Sequence, residues 1–237
     1  MKRVGHKGAD ALAPGNTAAS FRAAVDAGVD MIEFDVLRLR DDRLVLAHDL
    51  EDAASREPLT LDEGLDHLAG SDYAGLELDV DLKIPGYERE VVEALRARGL
   101  TDRSLVSTQY EESLDRLGEL APGLRRGWSV PRVRRDYTKS LLAPGAYAVV
   151  RYWRVRLPGR AVAMIRAGRC EAVMAHLLLV SPRLATELRR VGAELYVWTV
   201  DDRRSIERLA KLGVAGVITN DPRLFDPLKS RSAAASG

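Results

Sequence analysis

The segment MIEFDVLRLRDDRLVLAH, residues 31–48, decides the fold prediction because it combines an apolar strand, a turn and a returning strand. Glu33 and Asp35 stand two residues apart, so in an extended strand their side chains point to the same face. The Asp41-Asp42 pair suits a tight hairpin turn. A turn there pairs Arg40 with Arg43, Arg38 with Val45, Val36 with Ala47 and Asp35 with His48. The segment therefore predicts a hairpin that returns an imidazole to a pair of carboxylates.

Outward from this segment, short apolar strands alternate with helical patterns along almost the whole chain. The predicted strands lie near 3–6 and at 31–36, 75–83, 104–108, 125–130, 171–179, 194–200 and 216–219. Nearly all are followed by a helix, which is the pattern of a (β/α)₈ TIM barrel, an α/β fold. The returning strand 43–47 becomes an extra β-hairpin arm at the C-terminal rim. We predict a single barrel domain over 1–228 and a disordered tail at 229–237.

Composition and charge narrow the classes of protein that the chain can be. Among 237 residues there is one cysteine, Cys170, which excludes an internal disulfide framework and a cysteine-rich metal site. No apolar run is long enough for a transmembrane helix, and the first strand leaves no room for a signal peptide. These features predict a cytoplasmic protein. The net charge is +1, yet residues 124–169 carry 12 Lys or Arg against one acid.

Charged residues gather where the barrel strands end, which is where active sites of such barrels lie. His6 ends the first strand, Glu33 and Asp35 lie on the second, and Asp81 and Lys83 share a face of the third. Three carboxylates form an oxygen-rich site that favours one divalent cation, Mg²⁺ or Ca²⁺. If the third strand slips, Asp79 or Glu77 replaces Asp81 as ligand. Taken alone, His6 is more often a core histidine than a catalyst.

Together these groups describe phosphoryl chemistry. An ion neutralises phosphate oxygens, while His6 and His48 act as general base and general acid, because an unperturbed imidazole pKa of ~6.5 suits both roles. Lys7 and Lys83 are predicted to contact the anionic substrate. Trp198, at the end of the seventh strand, either stacks on the substrate or packs in the barrel. Asn220 and Asp221 are predicted to cap the last short helix.

The ordered set of motifs resembles the glycerophosphodiester phosphodiesterase family. The motifs are HKG at 6–8, PGNTAASFRAAVDAG at 14–28, IEFDV at 32–36, VLAHD at 45–49, VDLK at 80–83, VWTVDD at 197–202 and GVAGVITNDP at 213–222. The resemblance runs from end to end apart from 131–169. It implies a metal-dependent barrel that hydrolyses glycerophosphodiesters to an alcohol and sn-glycerol 3-phosphate. It also implies that Glu33, Asp35 and Asp81 hold the metal and that His6 and His48 are the catalytic pair.

Three positions depart from the family pattern. Lys7 stands where the family usually has arginine, Gly15 where it has glutamate, and Asp81 where it has a longer glutamate. The Asp81–Lys83 pattern is closer to the related sphingomyelinase D-like phospholipases. A lysophospholipase D-like or lyase activity on lysolipids is therefore one alternative, and a non-catalytic phosphodiester- or lipid-binding barrel is another.

The basic segment 131–169 is predicted to be a helical insertion after the fifth strand. Its arginines alternate with aromatic residues, a pattern typical of helices that lie on anionic membranes. The alternative is a helix that packs on the barrel and exposes its arginines to solvent. No groove-reading motif accompanies the charge, so no nucleic-acid partner is predicted. Co-sedimentation with anionic vesicles tests the peripheral membrane contact.

Overall fold

Eight parallel strands close into a barrel in the structure, which is a computed structural model. It describes residues 1–131 and 143–225, with the backbone alone at 143–149. The barrel strands are β1 (Lys2–Gly5), β2 (Met31–Arg38), β4 (Glu77–Leu82), β5 (Ser104–Thr108), β6 (Arg125–Val130), β7 (Ala172–His176), β8 (Glu194–Trp198) and β9 (Gly216–Thr219). Neighbours pair in this order around the ring, and β1 pairs with both β2 and β9 to close it.

Helices follow the strands on the outside, which confirms the predicted (β/α)₈ barrel. They are α1 (Ala18–Asp26), α2 (Leu50–Ser55), α3 (Leu61–Leu68), α4 (Glu88–Ala97), α5 (Glu111–Leu120), α6 (Ala143–Arg166), α7 (Pro182–Arg190) and α8 (Arg203–Leu212). Polar residues set their starts: Thr17 and Thr60 each form a capping box, and Asp202 accepts a hydrogen bond from the Ser205 amide. The helix α2 has no counterpart in the sequence prediction.

The barrel interior has an apolar layer between two charged ends. That layer is formed by Val4, Met31, Leu105, Ala172, Met174, Tyr196 and Ile218. Below it, at the N-terminal ends of the strands, Lys2 and Arg125 pair with Glu77 and Glu194. Because this end is sealed by paired charges, the open end of the barrel is the C-terminal rim.

The hairpin arm is present, but its predicted register is wrong by one residue. The strand β3 (Leu44–Val45) pairs Leu37 with Val45 and Arg38 with Leu44. The turn has three residues instead of two, since the Leu39 amide donates to the Arg43 carbonyl at 2.9 Å. Asp42 takes a left-handed backbone at φ 66°, a conformation that aspartate tolerates better than most residues. After Val45 the chain leaves β2, so the rest of the predicted pairing does not form.

The basic segment contains the barrel's own helix between β6 and β7. In α6, Leu157, Ala161 and Met164 are buried against the barrel. On the outer side, Tyr152 and Val155 are 58% and 62% exposed. Residues 132–142 of the predicted insertion and the predicted tail at 229–237 lie outside the described residues. Within 1–131 and 143–225, no helix is long and apolar enough to cross a bilayer.

Candidate active site

Three carboxylates meet at the C-terminal rim, from two adjacent strands. The parallel register of β2 and β4 sets Asp35 beside Asp81 and Glu33 beside Asp79. One oxygen each from Glu33, Asp35 and Asp81 lies within 4.8 Å of the other two. Glu33 and Asp35 are buried, and Asp81 is half-buried. The structure therefore brings together the three carboxylates named from the sequence, which we call the carboxylate cluster.

Lys83 supplies the positive charge inside this cluster. Its Nζ lies 2.5 Å from Asp35 Oδ1 and 2.6 Å from Asp81 Oδ2. Burial alone would lower the pKa of Lys83, but the carboxylates of Asp35, Asp81 and Glu33 raise it well above its ordinary value. Lys83 therefore stays an ammonium ion and partly neutralises the cluster.

The surroundings push the carboxylate pKa values apart. Burial and the neighbouring Asp35 raise the pKa of Glu33 well above its ordinary value. Burial also raises the pKa of Asp81. Burial acts the same way on Asp35, but Lys83 and His48 outweigh it and hold its pKa well below the usual range. Asp35 therefore carries its negative charge more readily than Glu33 or Asp81.

The cluster fits a hard divalent cation. Its donors are all carboxylate oxygens, which Mg²⁺ and Ca²⁺ prefer. Two oxygens on one Ca²⁺ are at most ~4.6–5.2 Å apart, twice the metal–oxygen distance. The separations of up to 4.8 Å between the oxygens of Glu33, Asp35 and Asp81 lie inside that span. These three residues could hold one ion without a cysteine or histidine ligand.

Asn16 locks Asp35 in place, a contact that the sequence analysis missed. Asn16 Nδ2 donates to Asp35 Oδ2 at 2.9 Å, and the Asp35 amide donates back to Asn16 Oδ1 at 3.0 Å. Asn16 is fully buried and has a left-handed backbone at φ 59°, which asparagine tolerates. The neighbouring Thr17 caps α1, which leaves the Asn16 side chain for Asp35.

His6 faces the carboxylate cluster from the end of β1. Its Nε2 lies 3.9 Å from Glu33 Oε2, and its Nδ1 lies 2.6 Å from Asn220 Oδ1. Burial lowers the pKa of His6 and so favours the neutral ring. The prediction that Asn220 caps the last helix is wrong, because its side chain bonds to His6 and to Asp201.

His48 faces the same cluster from the hairpin side. Its Nδ1 lies 3.4 Å from Asp35 Oδ2, although its side chain is 49% exposed. The backbone amide of His48 donates to Asp52 Oδ2 at 2.9 Å, which ties the residue to α2. The ring thus reaches Asp35 as expected from the sequence, but through the bend after β3 and not through strand pairing.

Lys7 and Gly15 form the wall beside His6. The Lys7 amide donates to Glu33 Oε2 at 2.8 Å, while its Nζ lies 3.9 Å from Asp10 Oδ2. A Cβ on Gly15 would come within 2.6 Å of Asp10 Oδ1 and 2.8 Å of the Lys7 Cβ. Close packing therefore explains glycine here, and Asp10 supplies an acid on this side of the site.

Trp198 lies at the rim, at the end of β8. Its ring meets that of His176 edge-on at 5.1 Å, and its Nε1 donates to the Met174 carbonyl at 2.9 Å. Trp198 is half-buried and packs on the apolar layer of the barrel. The packing role considered from the sequence is therefore present, and the contact of Trp198 with substrate stays a prediction.

Asp79 lies below the carboxylate cluster, almost fully buried, and its Oδ1 has no hydrogen-bond partner among the described residues. Burial raises its pKa to about 8.

In the unfolded chain an aspartate titrates near ~3.9, so between these values the folded state binds the extra proton and stability falls as pH rises. Asp79→Asn removes this penalty. The free energy of unfolding of Asp79→Asn minus that of the native protein should increase by on the order of a few kcal/mol from pH 5 to pH 8.

Urea unfolding of both proteins at several pH values, with a chelator present, measures this difference. A difference between Asp79→Asn and the native protein that stays constant from pH 5 to pH 8 would contradict the prediction. Asp26→Asn, at an exposed position on the last turn of α1, provides a control for the loss of one carboxylate.

Comparison with known proteins identifies the family. The chain matches the glycerophosphoryl diester phosphodiesterase family over residues 6–69 and 126–224. A glycerophosphodiester phosphodiesterase of Caldanaerobacter subterraneus subsp. tengcongensis is 26% identical over 92% of this chain and 93% of its own length.

Solved structures show the same fold. A glycerophosphodiester phosphodiesterase from Parabacteroides distasonis superposes with a TM-score of 0.76 at 17% identity, over 98% of each chain. An Oleispira antarctica phosphodiesterase in complex with the product sn-glycerol-3-phosphate gives a TM-score of 0.73 at 21% identity, over 96% of each chain.

The barrel fold, the carboxylate cluster at its rim and these matches together define a barrel phosphodiesterase. The chain belongs to the glycerophosphoryl diester phosphodiesterase family. The resemblance inferred from the motifs is confirmed, as is the class of enzyme, a phosphoric diester hydrolase. Family membership thus favours an enzyme over the non-catalytic barrel.

Proposed function

We propose that the chain hydrolyses glycerophosphodiesters to an alcohol and sn-glycerol 3-phosphate. One observation carries the proposal: two histidines lie next to one carboxylate cluster, His6 from the end of β1 and His48 from the bend after β3. The product named for the Oleispira antarctica structure supports this choice of substrate class.

In this proposal His6 and His48 move the protons of the reaction. One ring takes a proton from the attacking hydroxyl or water, and the other donates a proton to the leaving alkoxide. Both rings adjoin a carboxylate, which steadies an imidazolium when it forms. His6 presents Nε2 to the cluster, whereas His48 is more exposed and can meet solvent.

Glu33, Asp35 and Asp81 are proposed to hold one divalent cation, Mg²⁺ or Ca²⁺. The ion, when bound, supplies positive charge to the phosphate oxygens. Lys7 and Lys83 are proposed to add further positive charge for the phosphate. Trp198 is proposed to contact the substrate at the rim. Lys83 forms ion pairs with Asp35 and Asp81, so its ammonium group would act on a phosphate that binds next to the carboxylate cluster.

The direct test incubates the purified chain with glycerophosphocholine and other glycerophosphodiesters, with Mg²⁺, Ca²⁺ or a chelator. We expect sn-glycerol 3-phosphate and free alcohol with the cations and none with the chelator. Phosphorus NMR follows the products. The proposal fails if no glycerophosphodiester is cleaved with either cation, or if activity is unchanged by chelation.

The alternative of lysolipid cleavage stays a prediction, resting on the short Asp81 two residues before Lys83. The same NMR experiment with lysophosphatidylcholine addresses it, because a cyclic phosphate product or a lysolipid preference would favour the alternative. No contact in the described residues favours a lysolipid over a small glycerophosphodiester.

The membrane contact of 131–169 also stays a proposal. Its support is the exposed outer side of α6, where Tyr152 and Val155 stand with Arg156 and with Arg183 of α7 around a groove of about 540 Å³. Equal sedimentation with anionic and neutral vesicles would rule the contact out.

A further inference from the structure

A hydrogen-bonded chain of three side chains runs along the rim from Asp201 through Asn220 to His6. The three residues follow β8, β9 and β1, which are adjacent in the barrel. We infer that Asp201 and Asn220 are positioning residues that fix the tautomer of His6, with the proton on Nδ1 and the lone pair of Nε2 facing the carboxylate cluster. The inference deepens the proposed function, since it specifies the proton state of one of the two proposed catalytic rings.

Asp201 fixes the loop that carries Asn220. Its Oδ1 accepts from the Asn220 amide at 2.9 Å and from Thr219 Oγ1 at 3.0 Å. Its Oδ2 accepts from Asn220 Nδ2 at 2.6 Å. A carboxylate with three donors holds both the backbone and the side chain of Asn220 in one arrangement.

The chemistry of these partners sets the direction of each hydrogen bond. An ionised carboxylate only accepts, so the amide nitrogen of Asn220 must face Asp201. The amide oxygen then faces His6 Nδ1 at 2.6 Å, and two acceptors cannot share so short a contact. The proton of a neutral His6 ring must therefore lie on Nδ1.

Within the part of the chain that the structure describes, the other side of the ring has no competing hydrogen bond. Glu33 Oε2, the nearby acceptor, is 3.9 Å from Nε2, which is beyond hydrogen-bond distance. The backbone of His6 is fixed as well, because its amide donates to the Thr219 carbonyl at 2.9 Å. Nε2 is thus held with its lone pair at the cluster, ready to take a proton from a bound hydroxyl or water.

Nitrogen NMR of the ¹⁵N-histidine-labelled full chain tests the tautomer without any assay of activity. The chain has four histidines, so His6 can be assigned by comparison with His6→Gln. At a pH where the ring is neutral, we expect a protonated Nδ1 and an unprotonated Nε2. A native spectrum with the proton on Nε2 overturns the inference, whatever the variants do.

Asn220→Leu removes the amide at similar volume. We expect a mixture of tautomers and a kcat lowered by about 10–100-fold with KM little changed, which is typical when a residue that orients a catalytic group is lost. A single unchanged tautomer in Asn220→Leu overturns the inference. Asp221→Asn is the matched control, since its carboxylate lies in the same loop but pairs with Arg223.

The exchange Asp201→Asn with Asn220→Asp separates positioning from packing. In the double variant residue 220 still accepts from His6 Nδ1 and residue 201 now donates to it, so the Nδ1-H tautomer and most of kcat should return. Asn220→Asp alone sets two carboxylates face to face, and Asp201→Asn alone sets two amide groups face to face. Each single variant should therefore have a lower kcat than the double variant. A double variant no better than the singles overturns the inference. If the native chain cleaves no substrate yet has this tautomer, the proposed function fails while the inference stands.

Discussion

Replacement of His6 by alanine is expected to lower kcat for glycerophosphodiester hydrolysis by ~10²–10⁴-fold, the usual cost of losing a general acid or base. The ring presents Nε2 to the carboxylate cluster and has no neighbour of the same chemistry that could replace it on the β1 side among the described residues. KM should change far less, because the proposed phosphate contacts come from Lys7, Lys83 and the cation. Steady-state rates on glycerophosphocholine measure the effect.

His67→Ala is the matched control for this loss of an imidazole. His67 lies on α3, where its Nε2 is 2.7 Å from the Tyr73 hydroxyl, away from the rim. Its removal should leave kcat near the native value. Full activity in His6→Ala would exclude the role proposed for the ring.

Substitution of Lys83 by methionine is expected to destabilise the cation-free protein by about 3–5 kcal/mol, the usual cost of leaving buried charges without their partner. The substitution keeps the length of the side chain but removes the ammonium ion that pairs with Asp35 and Asp81. Urea unfolding in the presence of a chelator measures this loss of free energy.

A divalent cation should restore much of the stability lost in Lys83→Met. A ligand that binds only the folded state stabilises it, and the uncompensated carboxylates of Glu33, Asp35 and Asp81 should respond strongly to Mg²⁺ or Ca²⁺. The gain in Tm on adding the cation should therefore be larger in Lys83→Met than in the native protein. An equal gain in both would contradict this account. Lys211→Met, on the exposed side of α8, controls for the loss of one lysine.

The barrel could be predicted because strand and helix patterns are local. Each strand needs a short apolar run, and each helix carries its own period and cap, as Thr60 and Asp202 illustrate. The hairpin register could not be predicted, since Asp41 and Asp42 fit either a two-residue or a three-residue turn. That choice depends on how β3 packs, which the local sequence does not specify.

The candidate site was predictable where residues of one strand share a face. Glu33, Asp35 and Asp81 follow this rule, and the structure brings them together. Asn16 and Asn220 were missed because an asparagine beside a helix start is also typical of a cap. Their partners, Asp35 and His6, lie 19 and 214 positions away along the chain, so that only the folded barrel reveals the contacts.

The two histidines are held by different parts of the fold. His6 follows a strand of the closed ring, whereas His48 follows the two-residue strand β3, which pairs with β2 and is linked to Thr60 through Val45. A change in the length of that hairpin would move the ring of His48 relative to that of His6 without altering the strand pairing that closes the barrel. Such a change would act on the His48 side of the site and would leave His6 in place at the end of β1.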